Sequence, residues 1–257
     1  MAHLPASELV DRAEVGRVFT RCRPVRLGDV DARARLRLDA TARYLQDIAT
    51  DDATDAALDD AFGWVVRRTM IEVRRAAALG EMLELSTFCS GTGRSWAERR
   101  TSISGERGAS IEAVSLWIRV DPRSGRPTGL GDDFTSAYGE AARERRISSR
   151  LQLPAPPPDA DVQPWVIRRV DIDPLGHVNN AAQWAIVEET LPAEGSRRGL
   201  AVVEHVTAVE ADGVVDLATS CDSDGVRSSW IIRDGAVLTA ARWTPATVAG
   251  FTSRWRQ

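Results

Sequence analysis

The chain has 257 residues, 43% of them hydrophobic and 27% charged, with a formal net charge of −4. That composition supplies a core and a solvated surface, while length alone leaves one large domain or two small ones open. No apolar run approaches the roughly 20 residues that a bilayer-spanning helix needs. Met1 to Glu8 lack the basic-then-apolar order of a secretory signal, so a cytoplasmic protein is expected.

In chain order, the first long helix starts near Asp39, with Thr41, Leu45, Ile48 and Ala49 inward, and ends within the acidic, alanine-rich run Asp51 to Asp60. Strands rich in β-branched and aromatic residues follow at 63–73, 82–88 and 113–120, the last closed by Asp121-Pro122-Arg123-Ser124-Gly125. An arginine- and proline-rich linker, 141–163, comes next, with Arg143, Arg145, Arg146 and Arg150 ahead of Pro154 and Pro156 to Pro158. Proline density favours an extended crossing that cannot join a central strand. The second half shows a strand at 167–173, a helix from Asn180, and strands at 214–219 and 229–233. Asp234-Gly235 forms a hairpin turn.

The two halves repeat. Val25 to Asp31 parallels Ile167 to Asp173 at an offset of 142 (171 − 29), which also aligns Asp47 with Glu189. Further on, Trp96 matches Trp230 at 134 (230 − 96), and Trp117 matches Trp243 at 126 (243 − 117). Each half reads strand, turn, long helix, then several strands, giving an N-terminal domain over 1–140 and a C-terminal one over 164–257.

The richest stretch runs from Val170 to Asn180. Asp173-Pro174 starts a turn, and Gly176 permits a backbone that a Cβ would hinder. Asn179 or Asn180 caps the helix that follows, whose inward face carries Ala181, Trp184, Val187 and Leu191. Helix-start amides polarise a carbonyl oxygen, and a neighbouring carboxylate acts as base or nucleophile. On these grounds Asp173 is the candidate reactive carboxylate and His177 the side chain placed to orient it or to bind the reacting group. The amides of Gly176, His177 and Val178 are candidate oxyanion donors, and Asn179 and Asn180 hold the loop. Asp171 is structural. Glu189 either reaches the site or lies on the solvated helix face. The turn with a satisfied, capping histidine is the reading without chemistry.

Asp-x-Asp-x-x-Gly-His-Val-Asn-Asn (residues 171–180), with Trp184 to Glu189 behind it, resembles the active-site segment of the acyl-acyl-carrier-protein (acyl-ACP) thioesterases. The resemblance extends from about Val25 to Trp243. It implies an α+β tandem hot-dog, two antiparallel sheets each wrapped around a central helix. Because two such units in one chain can imitate the dimer of single-unit relatives, the helices beginning near Asp39 and Asn180 are expected side by side under one continuous antiparallel sheet. It also implies hydrolysis of fatty acyl thioesters on acyl carrier protein, without cofactor or metal; an acyl-CoA thioesterase and a non-catalytic acyl-binding module are the alternatives.

Several positions depart from the plant pattern. Leu175 stands where that family has an asparagine, and Ala208 and Val209 stand where it has a glutamate and a cysteine, with His205 nearby but unmatched. The first-half loop has Arg33 and Arg35 in place of Leu175 and His177, so only one site is expected to react. Cys22, Cys89 and Cys221 are too widely spaced for a disulfide framework or zinc knuckle. All 33 basic residues are arginine, and no basic motif carries interleaved aromatics, which makes nucleic acid a poor partner. The Arg143–Arg150 cluster is either solvated surface charge or a docking patch for an acidic carrier protein. Monomer and dimer both remain open.

Overall fold

The computed structural model describes residues 9–58, 63–192, 197–211 and 214–246. β1 (Val18–Pro24) leads through a 3-10 turn (Leu27–Asp29) into α1 (Leu38–Asp55), followed by β2 (Trp64–Arg75), β3 (Met82–Thr92), β4 (Trp96–Gly105) and β5 (Ser110–Arg119). After α2 (Asp132–Ala142) the pattern recurs: β6 (Asp161–Trp165), a 3-10 turn (Arg169–Asp171), α3 (Asn180–Gln183) and α4 (Ala185–Thr190), then β7 (Gly199–His205), β8 (Val215–Cys221), β9 (Arg227–Arg233) and β10 (Ala236–Pro245).

Two sequence expectations change at helix starts. Arg37, not Asp39, precedes α1, and Asp39 lies in the first turn, where it suits the positive helix end and pairs with Arg37 and Arg43. The helix ends at Asp55; the last residues of the expected span, 59 and 60, lie outside the described residues. Residues 167–173 hold a 3-10 turn (Arg169–Asp171) and an isolated bridge from Ile172 to Val178 in place of a strand. β6 ends at Trp165, and its Pro164 is tolerated because β6 is an edge.

The strands form one sheet in the order β1-β3-β4-β5-β2-β7-β10-β9-β8-β6, which reads the same from either end under the repeat. The sheet is continuous across the two halves, as the expectation of side-by-side helices has it, and the two separate sheets of the tandem description are a single one. β2 and β7 would each be an exposed edge in a separate half, and they satisfy one another by antiparallel pairing from Arg68↔Glu204 to Val73↔Gly199. The helices lie together on one face. Leu38, Tyr44, Leu45 and Ile48 of α1 share a core with Ala181, Trp184, Ile186, Val187 and the sheet residues Ile71, Val203 and Ala241. Trp184 sits where the second helix breaks into α3 and α4.

The opposite face is covered by the linker. The Gln152 and Leu153 amides donate to the buried Glu204 carboxylate at 2.8 and 2.9 Å, and Trp230 Nε1 donates to the Pro154 carbonyl at 2.8 Å. Arg145 is committed to Glu98 at 2.5 Å and to the Ser90 carbonyl, and Arg143 pairs with Glu14. The best basic cluster of the sequence thus divides, with Arg145 spent on a buried carboxylate instead of facing a partner.

Candidate active site

The Val170–Asn180 loop is built on its own amides. The Asp173 amide donates to the His177 carbonyl and the Gly176 amide to the Asp173 carbonyl, both at 2.9 Å, with Gly176 at φ +81°. Asp173 Oδ1 accepts from the Leu175 and His177 amides at 2.9 and 3.4 Å. Its other oxygen has no partner among the described residues. Asp171 is structural, as expected, but through a cap: it accepts from the Arg168 amide at 3.1 Å and the Arg168 guanidinium at 2.7 and 2.9 Å.

His177 meets a carboxylate the sequence did not point to. Its Nε2 lies 3.5 Å from Glu210 Oε1, and the two backbones form an antiparallel bridge. Ala208 is exposed and Val209 is buried, its carbonyl accepting from the Val178 amide at 2.8 Å. The acid therefore comes from Glu210, two residues beyond the expected position. Only the pairing of this segment with the loop reveals it.

The oxyanion expectation needs correction. The amides of Gly176, His177 and Val178 are all engaged within the protein, because a tight turn must satisfy its own donors. Asn179 is the cap: its Oδ1 accepts from the Ala181 amide at 2.8 Å, and its own amide donates to the Asp171 carbonyl at 2.7 Å. The amides of Asn180 and Ala182, at the helix start, have no acceptor among the described residues. Glu189 is exposed on the helix surface.

The first half repeats this loop bond for bond and closes it. The Asp31 amide donates to the Arg35 carbonyl at 2.8 Å, the Ala34 amide donates to the Asp31 carbonyl at 2.9 Å, and Ala34 takes φ +58° where Gly176 stands in the other half. There, however, Arg35 Nε donates to Asp31 Oδ2 at 3.0 Å, and Arg197 lies 3.5 Å from the same oxygen. The Leu38 amide, counterpart of Asn180 (38 + 142 = 180), donates to Glu188 Oε1 at 2.5 Å. Burial pushes the Glu188 carboxyl above its ordinary range. One carboxylate loop is saturated by its own chain, and the other is open.

A cavity of about 360 Å³ lies where the end of α1 and α2 meet β3 to β5, with Ala53, Leu58, Trp64, Trp117, Phe134 and Tyr138 among its walls. By the repeat, Gln46 is the α1 counterpart of Glu188 (188 − 142 = 46). Ala49 and Thr50 on the cavity wall are then about one helical turn away. Beneath α3 only about 10 Å³ is open, room for a single water at most and none for an acyl chain. Among the described residues no group of three acidic, histidine or cysteine side chains is arranged to hold a metal, and no helix is long and apolar enough to cross a membrane.

Residues 16–138 match the model of the acyl-ACP thioesterase N-terminal domain, and residues 156–243 that of the C-terminal domain. An uncharacterised protein of Mycobacterium tuberculosis is 30% identical over 88% of this chain and 92% of its own length. Oleoyl-acyl carrier protein thioesterase 1 of Arabidopsis thaliana is 24% identical over 78% of this chain; the chain spans 63% of that plant protein. Among solved structures, a putative oleoyl thioesterase of Lactobacillus plantarum superposes with a TM-score of 0.76 at 18% identity, covering 90% of this chain and 98% of the other. The 12:0-ACP thioesterase of Umbellularia californica superposes at 0.74 and 22% identity, covering 88% and 96%. Two family models spanning both halves, together with the hot-dog fold, place this chain in the acyl-ACP thioesterase family, a family of thioester hydrolases.

Proposed function

We propose that the chain hydrolyses fatty acyl thioesters carried on acyl carrier protein, releasing free fatty acid and the carrier thiol. The observation that carries this reading is the open second-half loop, with an unpaired Asp173 oxygen, a His177–Glu210 pair and helix-start amides without acceptors, set against a closed copy in the first half. Asp173 takes a proton from water as the oxygen attacks the thioester carbonyl. The Asn180 and Ala182 amides receive the developing oxyanion. His177, steadied by Glu210, binds the thioester group, and Asp173 gives the proton it took to the departing sulfur, which restores the carboxylate. Leu175 leaves this scheme intact, since the loop uses its amide and not its side chain. The acyl chain enters the first-half cavity along α1.

The carrier docks at the rim of the loop, where Arg168 and Arg169 stand among the exposed Val166, Val170 and Leu175. That rim offers positive charge and apolar contact to an acidic partner, and it is reached in the cytoplasm. The test is thiol release from a panel of acyl-ACP and acyl-CoA substrates. Turnover on acyl-ACP that weakens with salt is expected. Preference for acyl-CoA would replace the carrier, and stoichiometric acyl binding without turnover would make the protein a binding module.

A further inference from the structure

One buried polar cluster plays no part in that chemistry: Gln183 of α3, His205 of β7 and Thr239 of β10, which are 3%, 6% and 0% exposed. The Gln183 carboxamide nitrogen donates to the Val178 carbonyl at 3.0 Å. A carbonyl only accepts, so this bond fixes which end of the amide is which. The amide oxygen therefore accepts twice, from Thr239 Oγ1 at 2.5 Å and from His205 Nδ1 at 2.9 Å. His205 is then a neutral imidazole with its proton on Nδ1, and its buried Nε2 has no partner among the described residues. Burial, with Arg67 nearby, pushes its pKa down to about 4, which keeps it neutral.

Burying three polar groups costs free energy that an apolar core would not. The first half shows the apolar solution. The counterpart of Gln183 is Thr41 (183 − 142); the matching Leu36–Ala77 and Val178–Val209 bonds align β2 with β7 at an offset of 132 (209 − 77), so His205 corresponds to Val73 (205 − 132) and its cross-strand neighbour Thr239 to Ile111. Val73 and Ile111 are paired across their strands just as His205 and Thr239 are, and both are buried in the core. Thr41 turns back to the Arg37 carbonyl of its own helix at 2.8 Å. The polar version thus occurs only in the half whose carboxylate loop is open. It acts on Val178, the residue between His177 and the Asn179 cap, whose amide is already held by Val209.

We infer that Gln183, oriented by His205 and Thr239, is a positioning residue: it clamps the Val178 carbonyl so that the His177 side chain and the helix-start amides keep a fixed relation. This rests on the thioesterase reading for its consequence but not for its geometry. The experiment compares Gln183→Met, Thr239→Val and Thr239→Ser in the full chain. It reads kcat and KM on the best acyl thioester, the melting temperature, and the ¹H–¹⁵N signals of the His177 imidazole. Gln183→Met should lower kcat about tenfold or more, the scale of a misplaced reacting group, with KM within about twofold and the melting temperature held or raised. Thr239→Val should lose part of kcat and Thr239→Ser should recover it. Should Gln183→Met leave both kcat and the His177 signals as in the wild type, the clamp has no role. If the wild type turns over no thioester, the thioesterase reading falls, and the His177 signals alone decide: a shift in Gln183→Met supports the clamp, and none overturns it.

Discussion

Asp31 and Asp173 occupy the same loop, and what separates them is who holds the second oxygen. Burial alone would push the Asp31 carboxyl up, but the Arg35 amide and guanidinium outweigh it and hold the group below its ordinary range. A depressed carboxylate contributes stability that is present above its unfolded pKa and lost as pH falls through the folded one. Asp31→Asn should therefore shrink the fall in melting temperature on acidification while leaving activity alone. Asp173→Asn keeps an acceptor for the Leu175 and His177 amides and removes the charge. Turnover should drop roughly a hundredfold or more, the scale of a lost general base, at an almost unchanged melting temperature. Full activity in that variant would move the reactive carboxylate to Glu210. The local chemistry of Asp173, His177 and the Asn179 cap is legible in the sequence because the turn brings near neighbours together; Glu210 is not, since it arrives from 33 residues away (210 − 177).

Elements are held by groups that look like surface charge in the sequence. The Glu98 side chain is 1% exposed and meets Arg145 from the linker. Removing one partner of such a pair leaves an uncompensated buried charge, a cost of about 3–5 kcal/mol. Arg145→Met should lower the melting temperature sharply; an unchanged melting temperature with a raised KM for acyl-ACP would restore the docking role to this arginine. His205 supplies a second test at this scale. Its folded pKa is depressed, so its contribution is complete above 6.5 and declines as pH falls from 6.5 towards about 4. Denaturant titrations across that window should show His205→Gln losing less stability than the wild type, and an equal loss would mean the imidazole is solvated. Strand β7, Gly199 to His205, escapes a pattern-based reading because it is central and buried on both faces, which erases alternation.

The whole molecule is one sheet carried by two copies of a unit, and the β2–β7 seam makes each half depend on the other. Unfolding should follow a single transition, with calorimetric and van't Hoff enthalpies in agreement; two resolved transitions would show that the halves fold apart. Between the helices, Glu188 of α4 reaches the first amide of α1, 150 residues away. That long-range contact closes the first site and leaves the second open. What the sequence determined by itself is what depends on neighbours along the chain: the strand and helix periodicities, the Asp234-Gly235 turn, the internal repeat and the composition of the reactive loop. The tertiary structure alone decided the register of the β2–β7 seam, the partner of His177, the fate of the loop amides and the burial of Arg145 against Glu98. Each of these depends on which strands pair and in what register, and free energy of that kind comes from contacts between segments far apart in sequence, where no local pattern records the partner.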